Sequence, residues 1–138
     1  MTPARAYVAL GSNLGDREAA LQFAREQIAG LPGTVIRAAS TIGETAPLRE
    51  LDQPAYLNQM LALDTSLAPK KLLVACHRIE AEAGRTRTAR WESRTLDIDI
   101  VRYGALVLDD PALVLPHPGL LEREFWHREL DELHRAGW

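Results

Sequence analysis

The 138-residue chain reads as an α+β protein, a ferredoxin-like βαββαβ sandwich in which one antiparallel sheet has helices packed on it. Three observations predict this. Strand and helix patterns follow one another in the order strand, helix, strand, strand, helix, strand. The two helical runs, about 14–31 and 69–83, repeat their apolar residues at spacings of three, four and seven. The last strand, Thr95-Leu96-Asp97-Ile98-Asp99-Ile100-Val101, alternates in polarity as a strand with one packed face does. Two helices are expected on one face of the sheet.

Residues 5–11 make the first strand, followed by Ser12-Asn13-Leu14-Gly15-Asp16, where Asp16 is placed to cap a helix. This turn has neither GxGxxG nor GxxxxGK[ST], so it reads as a tight turn rather than a phosphate loop. Leu14, Leu21, Ala24, Ile28 and Leu31 form one helical stripe, which Gly30 and Pro32-Gly33 end. A second strand covers 34–41. The loop from Ile42 to Pro54 is long for a compact domain and is a functional candidate for that reason. The third strand, Tyr56 to Leu67, sets Tyr56, Asn58, Met60 and Ala62 on one face and Leu57, Leu61 and Leu63 on the other. Tyr56 and Asn58 together can read a flat, hydrogen-bonding heterocycle; packing at a sheet end and bonding to the loop backbone is the alternative.

Pro69 opens the second helix, whose stripe of Leu72, Cys76, Ile79 and Ala83 stops at Gly84. His77 and Glu80 are neighbours on its face. Beyond the 95–101 strand come a turn at Gly104, a brief strand at 105–108, and an extended segment at 113–118 imposed by its prolines. Residues 119–136 read as a polar helix on which His127 and His134, seven apart, are solvated. With no repeat or linker, residues 1–138 read as one domain.

The chemistry concentrates in residues 84–103. Leu96, Ile98 and Ile100 share one side of the strand, while Asp97 and Asp99 share the other. Two carboxylates that close disfavour joint ionisation unless a cation lies between them, and Mg²⁺ prefers oxygen ligands. Just before them stand Arg85, Arg87, Arg90 and Arg94, the residue type best shaped for bidentate contacts to phosphate. An acidic pair beside an arginine-rich loop outlines a polyphosphate site; solvated or salt-bridged aspartates are the plainer reading of Asp-x-Asp alone.

The net charge of −3 argues against a general nucleic-acid binder. Cys76 is the only cysteine, which excludes an intrachain disulfide, suits a reducing cytoplasm, and reads as a buried apolar residue. No apolar run approaches the ~18 residues that would span a bilayer.

Arg90-Trp91, the run Arg94 to Ile100, and Leu115-Pro116-His117-Pro118 resemble the signature of the hydroxymethyl-dihydropterin pyrophosphokinases of folate biosynthesis. Ala9 to Arg17 and Asp52 to Asn58 are similar to that family too, so the matching blocks run in the family's order over about residues 5–126. The resemblance implies transfer of pyrophosphate from ATP to a reduced pterin, with Asp97 and Asp99 holding two Mg²⁺ ions. It implies Arg85, Arg87 and Arg94 as phosphate clamps, His117 and Arg123 as triphosphate contacts, and Glu80, Leu73, Ile100 and Val114 around the nucleotide. Tyr56 and Phe125 would sandwich the pterin, Asn58 and the backbone near Thr45 and Leu48 would read its polar edge, and Trp91 would ride a closing loop. ATP binding before pterin, a monomer or weak dimer, and no nucleic-acid or membrane partner are expected. Glu92-Ser93 replaces a small pair usual in the family, and the chain after Phe125 is short and polar, which leaves open a paralogue of low activity or another acceptor. An RNA-binding ferredoxin-like module is the reading from a different class.

Overall fold

A computed structural model describes residues 2–46, 54–84 and 95–138. Its elements are β1 (Ala4–Ser12), α1 (Arg17–Ala29), β2 (Thr34–Ala39), β3 (Gly43–Thr45), β4 (Tyr56–Thr65), α2 (Pro69–Ala83), β5 (Asp97–Tyr103), β6 (Leu108–Asp110), β7 (Leu113–Leu115), a 3₁₀ turn (Pro118–Leu121) and α3 (Glu124–Arg135). The main sheet runs β2-β4-β1-β5, with β3 also paired to β4, and every pairing is antiparallel. This is the predicted α+β sandwich.

Local chemistry explains the elements. The Asp16 side chain caps α1 by accepting the Ala19 N–H at 3.1 Å. Pro69 opens α2, where its missing N–H costs nothing. Alternation along β1 sends Ala6, Val8 and Leu10 to one face, where they meet Leu21, Ala24 and Ile28 of α1 and Leu72, Cys76 and Ile79 of α2. Cys76 is fully buried there, and burial pushes its thiol up to about 12, so it behaves as a small apolar side chain.

The C-terminal segment corrects the expectation of a polar, solvated helix over 119–136. It divides into the 3₁₀ turn and α3, and α3 is amphipathic. Trp126, Leu130 and Leu133 lie at i, i+4 and i+7 and bury against Tyr7, Ala9, Met60, Ala62 and Val101, on the sheet face opposite α1 and α2. Covering each such side chain stabilises by about 1.5–3 kcal/mol. The sheet is therefore packed on both faces, and Phe125 is backed by this second cluster.

Two smaller differences bear on the site. The expected loop at 42–54 begins with β3, whose Gly43, Glu44 and Thr45 pair with Asn58, Leu57 and Tyr56. The brief strand expected at 105–108 lies instead at Leu108–Asp110, forming a hairpin with β7. The Asp110 side chain accepts the Ala112 N–H at 2.9 Å in the hairpin turn, and Lys70 of α2 pairs with it at 2.7 Å.

Candidate active site

Among the described residues α3 covers part of its sheet face, and the candidate site lies on that same face beside it. Ile98 and Ile100 of β5 enter the α1/α2 core, so Asp97 and Asp99, which alternate with them, project to the other side. Glu80 of α2 reaches across to β5, its Oε2 accepting the Ile98 N–H at 2.7 Å. A helix side chain thus holds the strand between its two aspartates.

A second wall comes from the segment after β7. The His117 N–H donates to the Val101 carbonyl at 2.9 Å, fixing that segment beside β5. The Gly119 N–H donates to His117 Nδ1 at 2.8 Å, which makes Nε2 the proton-bearing nitrogen of the neutral ring. Nε2 lies 3.5 Å from Asp99 Oδ1, and Arg123 Nη1 lies 3.9 Å from Asp99 Oδ2. Trp126 supports both groups: the Arg123 guanidinium stands 4.6 Å over its ring, and the His117 ring meets it edge-on at 5.1 Å. Sequence reasoning missed Trp126 and Gly119. The signal available for Trp126 was its place one helical turn after Arg123 on an apolar stripe.

The third wall is the β3–β4 edge. Asn58 pairs in register with Gly11 on one side and Gly43 on the other, so its amide stands between two positions without side chains. Its Nδ2 donates to Thr45 Oγ1 at 2.6 Å. Tyr56 lies over Gly11, where an added Cβ would sit 3.6 Å from its ring. Thr45, Asn58, Phe125, Arg128, Glu129 and Glu132 line a cavity of about 190 Å³. That is below the ~300–1,000 Å³ of pockets that enclose drug-sized ligands and too small for a whole nucleotide. Glu129, absent from the sequence-level candidates, is buried, and burial pushes its carboxyl up to about 8.

Among the proposed nucleotide residues, Leu73 is partly buried against the main core, Val114 is exposed, and Ile100 has its side chain in the core. Any contact from Ile100 to a ligand is therefore made by its backbone. Arg85, Arg87, Trp91, Arg94 and Leu48 lie outside the described residues, as do Arg90 and Glu92-Ser93. For Mg²⁺ the donor chemistry fits. The ion is commonly held by one or two carboxylates and completed by phosphate oxygens and water, and β5 offers two carboxylates on one face. Among the described residues no group of three or more His, Cys, Asp or Glu forms a metal cage.

The family model for 7,8-dihydro-6-hydroxymethylpterin-pyrophosphokinase matches residues 7–135. The chain belongs to this family. Among curated relatives, the 2-amino-4-hydroxy-6-hydroxymethyldihydropteridine pyrophosphokinase of Methylorubrum extorquens is 45% identical over 88% of this chain and 77% of its own. The enzyme of the same name from Pseudomonas aeruginosa is 46% identical over 88% of this chain and 75% of its own. That of Bacillus subtilis is 40% identical over 93% of this chain and 77% of its own. The family match takes in β5, the His117 segment and α3.

Proposed function

We infer that the chain is a Mg²⁺-dependent pyrophosphokinase of folate biosynthesis, acting on ATP and 6-hydroxymethyl-7,8-dihydropterin. The hydroxymethyl oxygen attacks the β-phosphorus of ATP, the bond to the α-phosphate oxygen breaks, and AMP leaves. The observation that carries this reading is that, within the matched family, Asp97 and Asp99 share one face of β5 and His117 and Arg123 stand beside Asp99. Bound Mg²⁺ supplies charge neutralisation at the phosphates and lowers the pKa of a coordinated hydroxyl. The chain's own part is positioning and electrostatics. Asp97 and Asp99 hold the metal; His117 Nε2–H and the Arg123 guanidinium donate to phosphate oxygens; the pterin stacks between Tyr56 and Phe125 with Asn58 and the backbone at Thr45 and Leu48 on its polar edge.

The finer assignments belong to the same proposal. Two Mg²⁺ ions bind with ATP. Arg85, Arg87 and Arg94 clamp the phosphates, and Trp91 closes over the pterin, which keeps water from ATP. Glu80, Leu73, Ile100 and Val114 surround the nucleotide. The protein acts as a single domain, monomeric or weakly dimeric, in the cytoplasm; among the described residues no helix is long and apolar enough to cross a membrane. Family membership sets the RNA-binding reading aside. The test is an AMP assay with ATP, Mg²⁺ and hydroxymethyl-dihydropterin. AMP appearing one-for-one with pyrophosphorylated pterin is expected, and no pterin-dependent AMP above background would overturn the reading.

A further inference from the structure

A buried carboxyl in the cavity beside Asn58 has no role in the chemistry above. Phe125, Arg128, Glu129 and Glu132 follow one another on α3 at i, i+3, i+4 and i+7, so one helix face turns all four toward the cavity. Three carboxyls line it, and two are engaged. Glu44 pairs with Arg17 at 2.7 Å, and Glu132 Oε2 accepts the Thr41 N–H at 2.8 Å and its hydroxyl at 3.0 Å. The third, Glu129, is only 8% exposed, and its Oε1 has no hydrogen-bond partner among the described residues.

A buried acceptor left unpaired costs about 1–3 kcal/mol, and native proteins seldom carry one without a purpose. The cavity brings acidic acceptors toward Asn58, whose Nδ2 is already donating to Thr45. Such a lining suits a ligand edge that presents N–H donors and opposes an anion. Resting on the pterin reading of this site, we propose that Glu129 is a specificity-determining residue whose carboxyl accepts N–H donors from the amino-pyrimidinone edge of the substrate. Thr41, in the same lining, is held by Glu132.

The chemistry names its own discriminating ligand. Replacing the 2-amino group of 6-hydroxymethyl-7,8-dihydropterin by oxygen gives the corresponding lumazine, which presents an acceptor where the pterin presents donors. N–H donors from the ligand favour the ionised form of Glu129, and against that carboxylate the lumazine is rejected because acceptor would face acceptor. Glutamine in place of Glu129 keeps the shape and offers a donor as well.

The experiment is calorimetric titration of both compounds into wild type, Glu129→Gln and the apolar Glu129→Met, each with Mg²⁺ and a non-hydrolysable ATP analogue. Thermal melts identify which variants are folded. Wild type is expected to favour the pterin by about a hundredfold or more, and each folded variant to lower that ratio at least about tenfold. A purely structural Glu129 would weaken both compounds alike and leave the ratio in place. A variant ratio within about twofold of wild type, or a wild type that does not discriminate, overturns the assignment while leaving the pterin site standing. If wild type binds neither compound with nucleotide present, the pterin reading itself fails and takes this assignment with it.

Discussion

At the scale of single residues, the site is a cluster of charges whose value lies in placement. Asp99 is half-exposed beside His117 and Arg123, and pairs of that kind contribute about 0–1 kcal/mol to stability. Asp97→Ala and Asp99→Ala are therefore expected to lower kcat by about a thousandfold or more. Melting temperatures should stay within a few degrees; a modest loss of turnover in both variants would refute metal binding by this pair. Gly119 is a subtler case. A Cβ there would stand 2.7 Å from Arg123 Nη1, 2.9 Å from Trp126 Cζ3 and 3.0 Å from His117 Nδ1. Gly119→Ala must displace at least one of the three, and steady-state kinetics should show kcat/KM for ATP falling about tenfold to a hundredfold. An unchanged value would mean the three groups give way without consequence. The aspartates were legible in the sequence because strand alternation alone separates them from Ile98 and Ile100. Glu129 was not, since its burial depends on a helix docking against a strand more than sixty residues earlier.

At the scale of elements, α3 joins the two halves of the site. Its Trp126 supports His117 and Arg123, while Phe125 and Glu129 line the cavity beside Asn58. Leu130, 3% exposed, anchors the helix to the sheet. Leu130→Ala is expected to cost about 2–5 kcal/mol in urea denaturation, and well below the melting temperature it should raise KM for both substrates. Leu72→Ala, equally buried but in α2, is expected to cost a similar amount with both KM values unchanged. Identical kinetics in the two variants would deny α3 its joining role. The same element marks the limit of sequence reading. Helices α1 and α2 were legible from dense apolar stripes, whereas the stripe of α3 is thin and flanked by Arg128, Glu129, Asp131 and Glu132, so it passed for a solvated helix. Strand β3 is three residues with no apolar alternation and exists only because β4 offers an edge.

At the scale of the molecule, the two faces of the sheet carry different burdens, and the difference has a signature in stability against pH. On the cavity side, burial first of all, and then the nearby Glu132, raise the Glu129 carboxyl from its ordinary 4.5 to about 8, against the opposing charge of Arg128. Below pH 4.5 the group is neutral in both folded and unfolded chains. Between about pH 4.5 and 8 the unfolded chain releases the proton while the folded chain keeps it, so stability falls by up to about 5 kcal/mol as pH rises. Elsewhere the sign is opposite. Hydrogen bonds from Arg5 and Arg37 hold the Asp64 carboxyl below its usual range, and Lys70 with the Ala112 N–H does the same for Asp110. Their stabilisation is present above the unfolded value of 3.8 and is lost as pH falls below it. For these groups together the stability maximum lies on the acid side, near pH 4 to 5, rather than at neutrality. Urea midpoints from pH 4 to 9 should trace that dome in wild type. Glu129→Gln should flatten its alkaline limb, leaving the curves superimposed near pH 4.5 and the variant more stable above pH 8. Parallel curves would mean that Glu129 ionises freely in the folded protein, and the cavity would then carry a full negative charge before any ligand arrives.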